Sequence, residues 1–77
     1  MTPTDLADEA IEVTVNGERR SVAAGTSLAD LLSSLGLDPR MIVVERNREI
    51  LRERSAFAGL ALREGDELEL VHFVGGG

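Results

Sequence analysis

Cysteine, lysine, tryptophan and tyrosine are all missing from this 77-residue chain, and histidine occurs once. Without cysteine there is no disulfide to staple a small fold, which argues against a secreted mini-protein. Thiolate metal sites are excluded, and a single His cannot replace them. No apolar run approaches the ~18 residues that read as a membrane span. Met1 to Ala10 has no basic residue and no apolar stretch, so it does not read as a signal peptide. Glycine-rich nucleotide loops of the G-x-x-x-x-G-K-[ST] or G-x-G-x-x-G type do not occur. A soluble cytoplasmic protein is the expectation. The formal net charge of −6 sets nucleic acid and anionic membranes at a disadvantage as partners.

What the chain does have is enough apolar material for one small core, with 43% hydrophobic residues. A chain of this size buries about 60–65% of its unfolded surface, so its stability is modest. The charge is uneven: acidic residues dominate before Arg19 and after Arg63, and five of the eight basic residues lie between Arg40 and Arg54. All eight are Arg.

Residues 1–10 are polar, acidic and aperiodic, and read as a flexible leader. Ile11-Glu12-Val13-Thr14-Val15 then alternates with period two, which predicts a strand with Ile11, Val13 and Val15 on one face. Asn16-Gly17 predicts a type I′ hairpin turn, because both central positions of that turn need φ > 0. Glu18 to Ala23 is the return strand. Ser27 is a good N-cap with Asp30 three positions on. Leu28, Leu31, Leu32 and Leu35 follow at helical spacing, and Gly36 stands where a helix stops. Met41 to Glu45 predicts a third strand, Arg46-Asn47-Arg48 a turn, and Glu49 to Leu51 a short fourth strand. Residues 52–62 read as irregular, with a helical turn near Ser55 to Ala58 and apolar anchors at Phe57, Leu60 and Leu62. Glu67 to Phe73 alternates again as a last strand.

Two hairpins, one helix between them and a final strand call for one mixed sheet with the helix across one face. The predicted class is α+β, a β-grasp (ubiquitin-like) domain over residues 11–73, with about five strands and the first and last side by side. If Leu68 and Leu70 face the helix, Val71 and Phe73 face away. If Glu45 points to solvent, so do Met41 and Val43. Met41, Val43, Val71 and Phe73 are therefore the predicted docking patch on the uncovered side of the sheet.

The chain closes on Val74-Gly75-Gly76-Gly77, read as a flexible tail over residues 74–77. Three glycines bury nothing and cost backbone entropy to order. A tail without side chains suits threading through a narrow channel, with the Gly77 carboxylate as its reactive group and Gly75 and Gly76 as the stalk. The run Ile42-Val43-Val44-Glu45-Arg46-Asn47-Arg48-Glu49-Ile50 and the ending Glu69 to Gly77 resemble the ThiS family, the sulfur carriers of thiamine (thiazole) biosynthesis. Asn16-Gly17-Glu18, Gly25-Thr26 and Leu28-Ala29-Asp30-Leu31-Leu32 are similar to the family's first half. The leader departs from the pattern, as does Arg48, where many members carry Gly.

The resemblance implies that the chain is a co-substrate and not an enzyme. A ThiF-type adenylyltransferase would use ATP to activate the Gly77 carboxylate; no cofactor is bound by the carrier itself. Sulfur from a cysteine desulfurase or other persulfide donor would displace AMP and leave a thiocarboxylate. Thiazole synthase of the ThiG type would then take the sulfur. With neither Cys nor Lys, the chain has no side-chain thiol or amine to attack its own activated end. Two other readings share parts of this pattern: a carrier like the molybdopterin-synthase small subunit, and a ubiquitin-like interaction module without chemistry. His72, the lone His, shares the face of Leu70 by alternation and reads as structural. The arginines at 46, 48, 52 and 54, interleaved with Glu45, Glu49 and Glu53, read as a solvated surface.

Overall fold

The structure, a computed structural model, describes residues 9–73. Strand β1 (Ala10–Val15) turns through Asn16 and Gly17, at φ 50° and 84°, into β2 (Glu18–Ala23). Both turn residues sit in the left-handed region, as a type I′ hairpin requires. Ala10 already pairs with Ala23, and the Glu9 carbonyl oxygen accepts from the Ala24 N–H at 2.8 Å. The hairpin thus extends slightly beyond the Ile11 start that the alternation suggested, because backbone pairing does not need an apolar side chain.

Helix α1 (Leu28–Ser34) opens on a full capping box. The Asp30 N–H donates to Ser27 Oγ at 3.0 Å and the Ser27 N–H donates to Asp30 Oδ2 at 3.3 Å. It closes on Gly36 at φ 74°. There the Gly36 N–H donates to the Ser33 carbonyl and the Leu37 N–H reaches back to that of Leu32, a Schellman motif. Leu28, Leu31 and Leu32 are buried and Leu35 packs against them from the rim.

Asp38 caps a short 3-10 turn, Pro39–Met41, accepting the Arg40 N–H on its carboxylate at 2.9 Å. Met41 completes this turn, so β3 spans Ile42–Arg46, one residue later than its sequence pattern suggested. The next turn needs only Asn47 and Arg48, at φ 51° and 73°, before β4 (Glu49–Leu51). A second 3-10 stretch, Arg54–Gly59, plants Phe57 in the core. β5 (Glu67–His72) ends one residue earlier than predicted, although the Phe73 N–H still donates to the Met41 carbonyl at 2.9 Å.

The sheet order is β2-β1-β5-β3-β4, with β1 and β5 parallel at its centre and the other pairs antiparallel. Val13, Val15, Ile42, Val44, Leu68 and Leu70 line the inner face under α1, with Phe57 and Leu62 closing the rim. This is the β-grasp arrangement. The other face of the sheet has no covering layer among the described residues.

Candidate functional site

Gly75, Gly76 and Gly77 lie outside the described residues, so the site is built from the root of the tail. β5 is the strand that carries the chain to that root. Leu68 and Leu70 point into the core, and Val71 stands outward, 57% exposed. Phe73, one step beyond the strand, is 46% exposed. On β3, Val43 pairs directly with Val71 and is half-buried, while its neighbours Ile42 and Val44 are buried. Met41 is exposed and tied to Phe73 through the backbone bond already described. The four predicted patch residues therefore gather where β3 begins and β5 ends.

Ile50 belongs to the same surface and was missed from sequence. It is exposed and pairs with Glu45 across the β3–β4 hairpin. Val43 and Ile50 line one shallow depression of about 290 Å³ with Leu51, Arg52 and Arg54. The signal was available: a two-residue turn at Asn47-Arg48 pairs Arg46 with Glu49 and Glu45 with Ile50, and Glu45 was already assigned outward.

The other half of this face is acidic. Glu45 and Glu69 stand directly opposite each other across β3 and β5. With Glu67, Thr14 and Arg48 they border a second depression of about 430 Å³. Like charges in direct cross-strand register are unfavourable, so the open face is divided between an apolar end beside the tail and a negative end away from it.

Two groups set the frame around this surface. Asp66, only 5% exposed, accepts from Arg46 Nε at 3.1 Å, Asn47 Nδ2 at 3.2 Å and the Arg63 N–H at 2.9 Å. Burial alone would push its carboxyl up, but the Arg63 N–H, the Asn47 amide and the Arg46 guanidinium together hold it below its ordinary value. This locks the β3–β4 turn onto the start of β5. Arg54 donates from Nε to the Pro39 carbonyl at 2.8 Å and from Nη2 to that of Ile42 at 3.1 Å. Its guanidinium carbon lies over the Phe73 ring, 5.8 Å from the centroid.

His72 departs from expectation: it is exposed, although it shares the inward side of Leu70. β1 runs alongside β5 only as far as Val15 opposite Leu68, so His72 is flanked by Ile42 of β3 and by no strand on the β1 side. Among the described residues no group of three or more His, Asp or Glu could hold a metal ion. None of their buried side-chain polar atoms lacks a partner, and no helix is long and apolar enough to cross a membrane. The described residues form a small, self-satisfied domain with an open sheet surface whose apolar end includes Phe73, their last residue.

Comparison with known proteins agrees with this geometry. The model of the ThiS family matches residues 13–77. A stretch of the thiazole synthase of Paramagnetospirillum magneticum is 43% identical over 67 residues, covering 87% of this chain and 20% of that protein. This chain thus spans about a fifth of that relative's length. The sulfur carrier protein ThiS of Bacillus subtilis is 44% identical over 52 residues, 66% of this chain and 76% of its own. The crystal structure of the thiamine biosynthesis protein ThiS from Geobacter metallireducens superposes with a TM-score of 0.73 at 37% identity, covering 87% of this chain and all of the other.

Proposed function

The chain belongs to the ThiS family, whose members are small sulfur carriers and not catalysts, and we propose that it carries sulfur for thiamine biosynthesis on the carboxylate of Gly77. The observation that carries this reading is the family match itself, which runs through the core strands and on through the terminal glycines. The exposed apolar patch at the root of the tail supports it, since a carrier must be gripped beside the group it presents.

The chemistry follows from the carboxylate. Ionised, it is a poor electrophile. A ThiF-type adenylyltransferase joins it to AMP from ATP, releasing pyrophosphate, and the mixed anhydride supplies a good leaving group. The terminal sulfur of a persulfide, formed by a cysteine desulfurase or other donor, attacks the carbonyl carbon and AMP departs. Cleavage of the remaining S–S bond by a thiol leaves the thiocarboxylate on Gly77. The likeness to a longer protein named thiazole synthase supports thiazole synthase as the acceptor, because the carrier-like stretch is part of that same polypeptide.

Met41, Val43, Val71 and Phe73, extended by Ile50, form the docking surface for the activating enzyme in this reading. Gly75 and Gly76 set the reach. Removing Gly77 retracts the carboxylate by about 3.3–3.6 Å, and a misplacement of even ~1 Å can cost about 100-fold in rate. ATP–pyrophosphate exchange by the activating enzyme should therefore collapse with Gly77 deleted, while circular dichroism stays unchanged. The full-length chain, charged and weighed intact, should show one oxygen replaced by sulfur. Full exchange activity without Gly77 would end this reading and leave a ubiquitin-like interaction module.

A further inference from the structure

Arg54 stands out among the arginines because none of its three contacts is a carboxylate. Its guanidinium joins three pieces of chain that are far apart in sequence: the 3-10 stretch that begins at Arg54, the Pro39–Met41 turn with the first residue of β3, and the end of β5. Two of its N–H groups are committed to carbonyl oxygens, so the plane of the fork is fixed before it meets an aromatic ring. The guanidinium carbon lies over the Phe73 ring, 5.8 Å from its centroid, and Phe73 is the last described residue before the glycines.

We propose that Arg54 is a positioning residue: it clamps the Phe73 ring at the root of the tail and so presets the docking surface from which the tail is presented. This rests on the carrier reading above. An exposed ring at a strand end otherwise loses rotamer freedom on binding. A ring already held against a cation does not. Lysine would not replace the clamp. Its ammonium is a point charge without the planar fork that bonds two carbonyls while its carbon faces a ring. The glycine tail separates the clamp from the reacting carboxylate, so the effect belongs to docking and not to the chemical step.

The test has two arms. In the free protein, Arg54→Met and Arg54→Lys should shift the Phe73 ring-proton resonances and broaden their distribution, with core resonances such as those of Leu32 unmoved. In ATP–pyrophosphate exchange with varied carrier concentration, Arg54→Met should raise KM about two- to fivefold, the range set by an exposed cation–π contact, with kcat unchanged. Arg54→Lys should fall between. In a Phe73→Leu background the same Arg54 substitution should add less than about 1.5-fold, because contacting residues are non-additive. An unchanged KM, or an equal rise in both backgrounds, would overturn the clamp, as would unmoved ring resonances. If the wild-type chain supports no exchange at all, the carrier reading fails, and the ring resonances alone decide whether the clamp exists.

Discussion

The side-chain amide of Asn16 pairs with the backbone of Leu70 as a peptide group would. The Leu70 N–H donates to Asn16 Oδ1 at 2.7 Å, and Asn16 Nδ2 donates to the Leu70 carbonyl at 3.3 Å. The backbone of Asn16 donates to the Leu68 carbonyl at 2.9 Å. β1 has already turned away at this point, so one side chain prolongs the central parallel pair by a residue towards the tail.

This dual role separates two substitutions. Asn16→Gly keeps the positive φ of the turn and loses only the Leu70 pairing. We expect it to destabilise the domain by about 1–3 kcal/mol, the net worth of two hydrogen bonds. The loss should appear in chemical denaturation, together with faster amide exchange at Leu70. Unchanged exchange at Leu70 would show that the pairing contributes nothing in solution.

Arg48 holds φ 73° in a position suited to glycine. Its side chain is exposed and makes no ion pair within 4.0 Å among those found in the described residues. A left-handed residue with a Cβ costs roughly 1–2 kcal/mol, partly offset by the greater unfolded-state entropy of glycine. Arg48→Gly should therefore stabilise the fold by about 0.5–1 kcal/mol in a thermal or urea melt. A lower midpoint would mean that Arg48 makes a contact that outweighs the strain.

Asp66 makes stability depend on acid. Its carboxyl is held below the ordinary value in the folded state, against about 3.9 when unfolded. Its contribution is therefore complete above the unfolded value and is lost as pH falls through the lower folded one. The melting midpoint should drop below about pH 4 for this reason, and Asp66→Asn should flatten that drop. Asp38, held down to about 2 by its hydrogen bonds with Arg40, acts in the same direction but from a solvent-facing pair. Measuring in about 1 M salt, where the screening length is ~3 Å, suppresses that contribution. At neutral pH, Asp66→Ala should cost about 1–3 kcal/mol, because the half-buried Arg46 guanidinium and the Asn47 amide lose their shared acceptor.

Leu32 and Phe73 should divide stability from docking. Leu32 is fully buried on the inner face of α1, and Leu32→Ala should cost about 2–5 kcal/mol. Phe73 is half exposed, so Phe73→Ala should leave the denaturation midpoint nearly unchanged and weaken adenylation by the activating enzyme. Ile50→Ser should weaken it in the same sense. A Phe73→Ala chain that unfolds while its binding survives would reverse the assignment of the faces.

Most of the architecture was written locally. Alternation placed β1 and β5, Asn16-Gly17 set the first hairpin and with it β2, and Ser27 with Asp30 opened the helix whose leucine spacing chose its buried face. These signals work because dihedral preference and side-chain period act between neighbours a few residues apart. The family likeness was likewise carried by short runs and by the closing glycines. Contacts across the fold were not legible in this way. Asn16 finds Leu70 54 positions away, Arg46 finds Asp66 20 away, and Arg54 reaches Phe73. Each depends on which strands lie side by side and where β1 stops beside β5. The small shifts at Ala10 and His72 have the same origin, since backbone pairing follows the neighbouring strand, whatever the side chains prefer; Ile42 opens β3 because the Pro39–Met41 turn takes up Met41. Short-range physics was enough to fold this chain on paper; the order of strands in the sheet decided which polar groups became its internal ties and which apolar ones were left facing a partner.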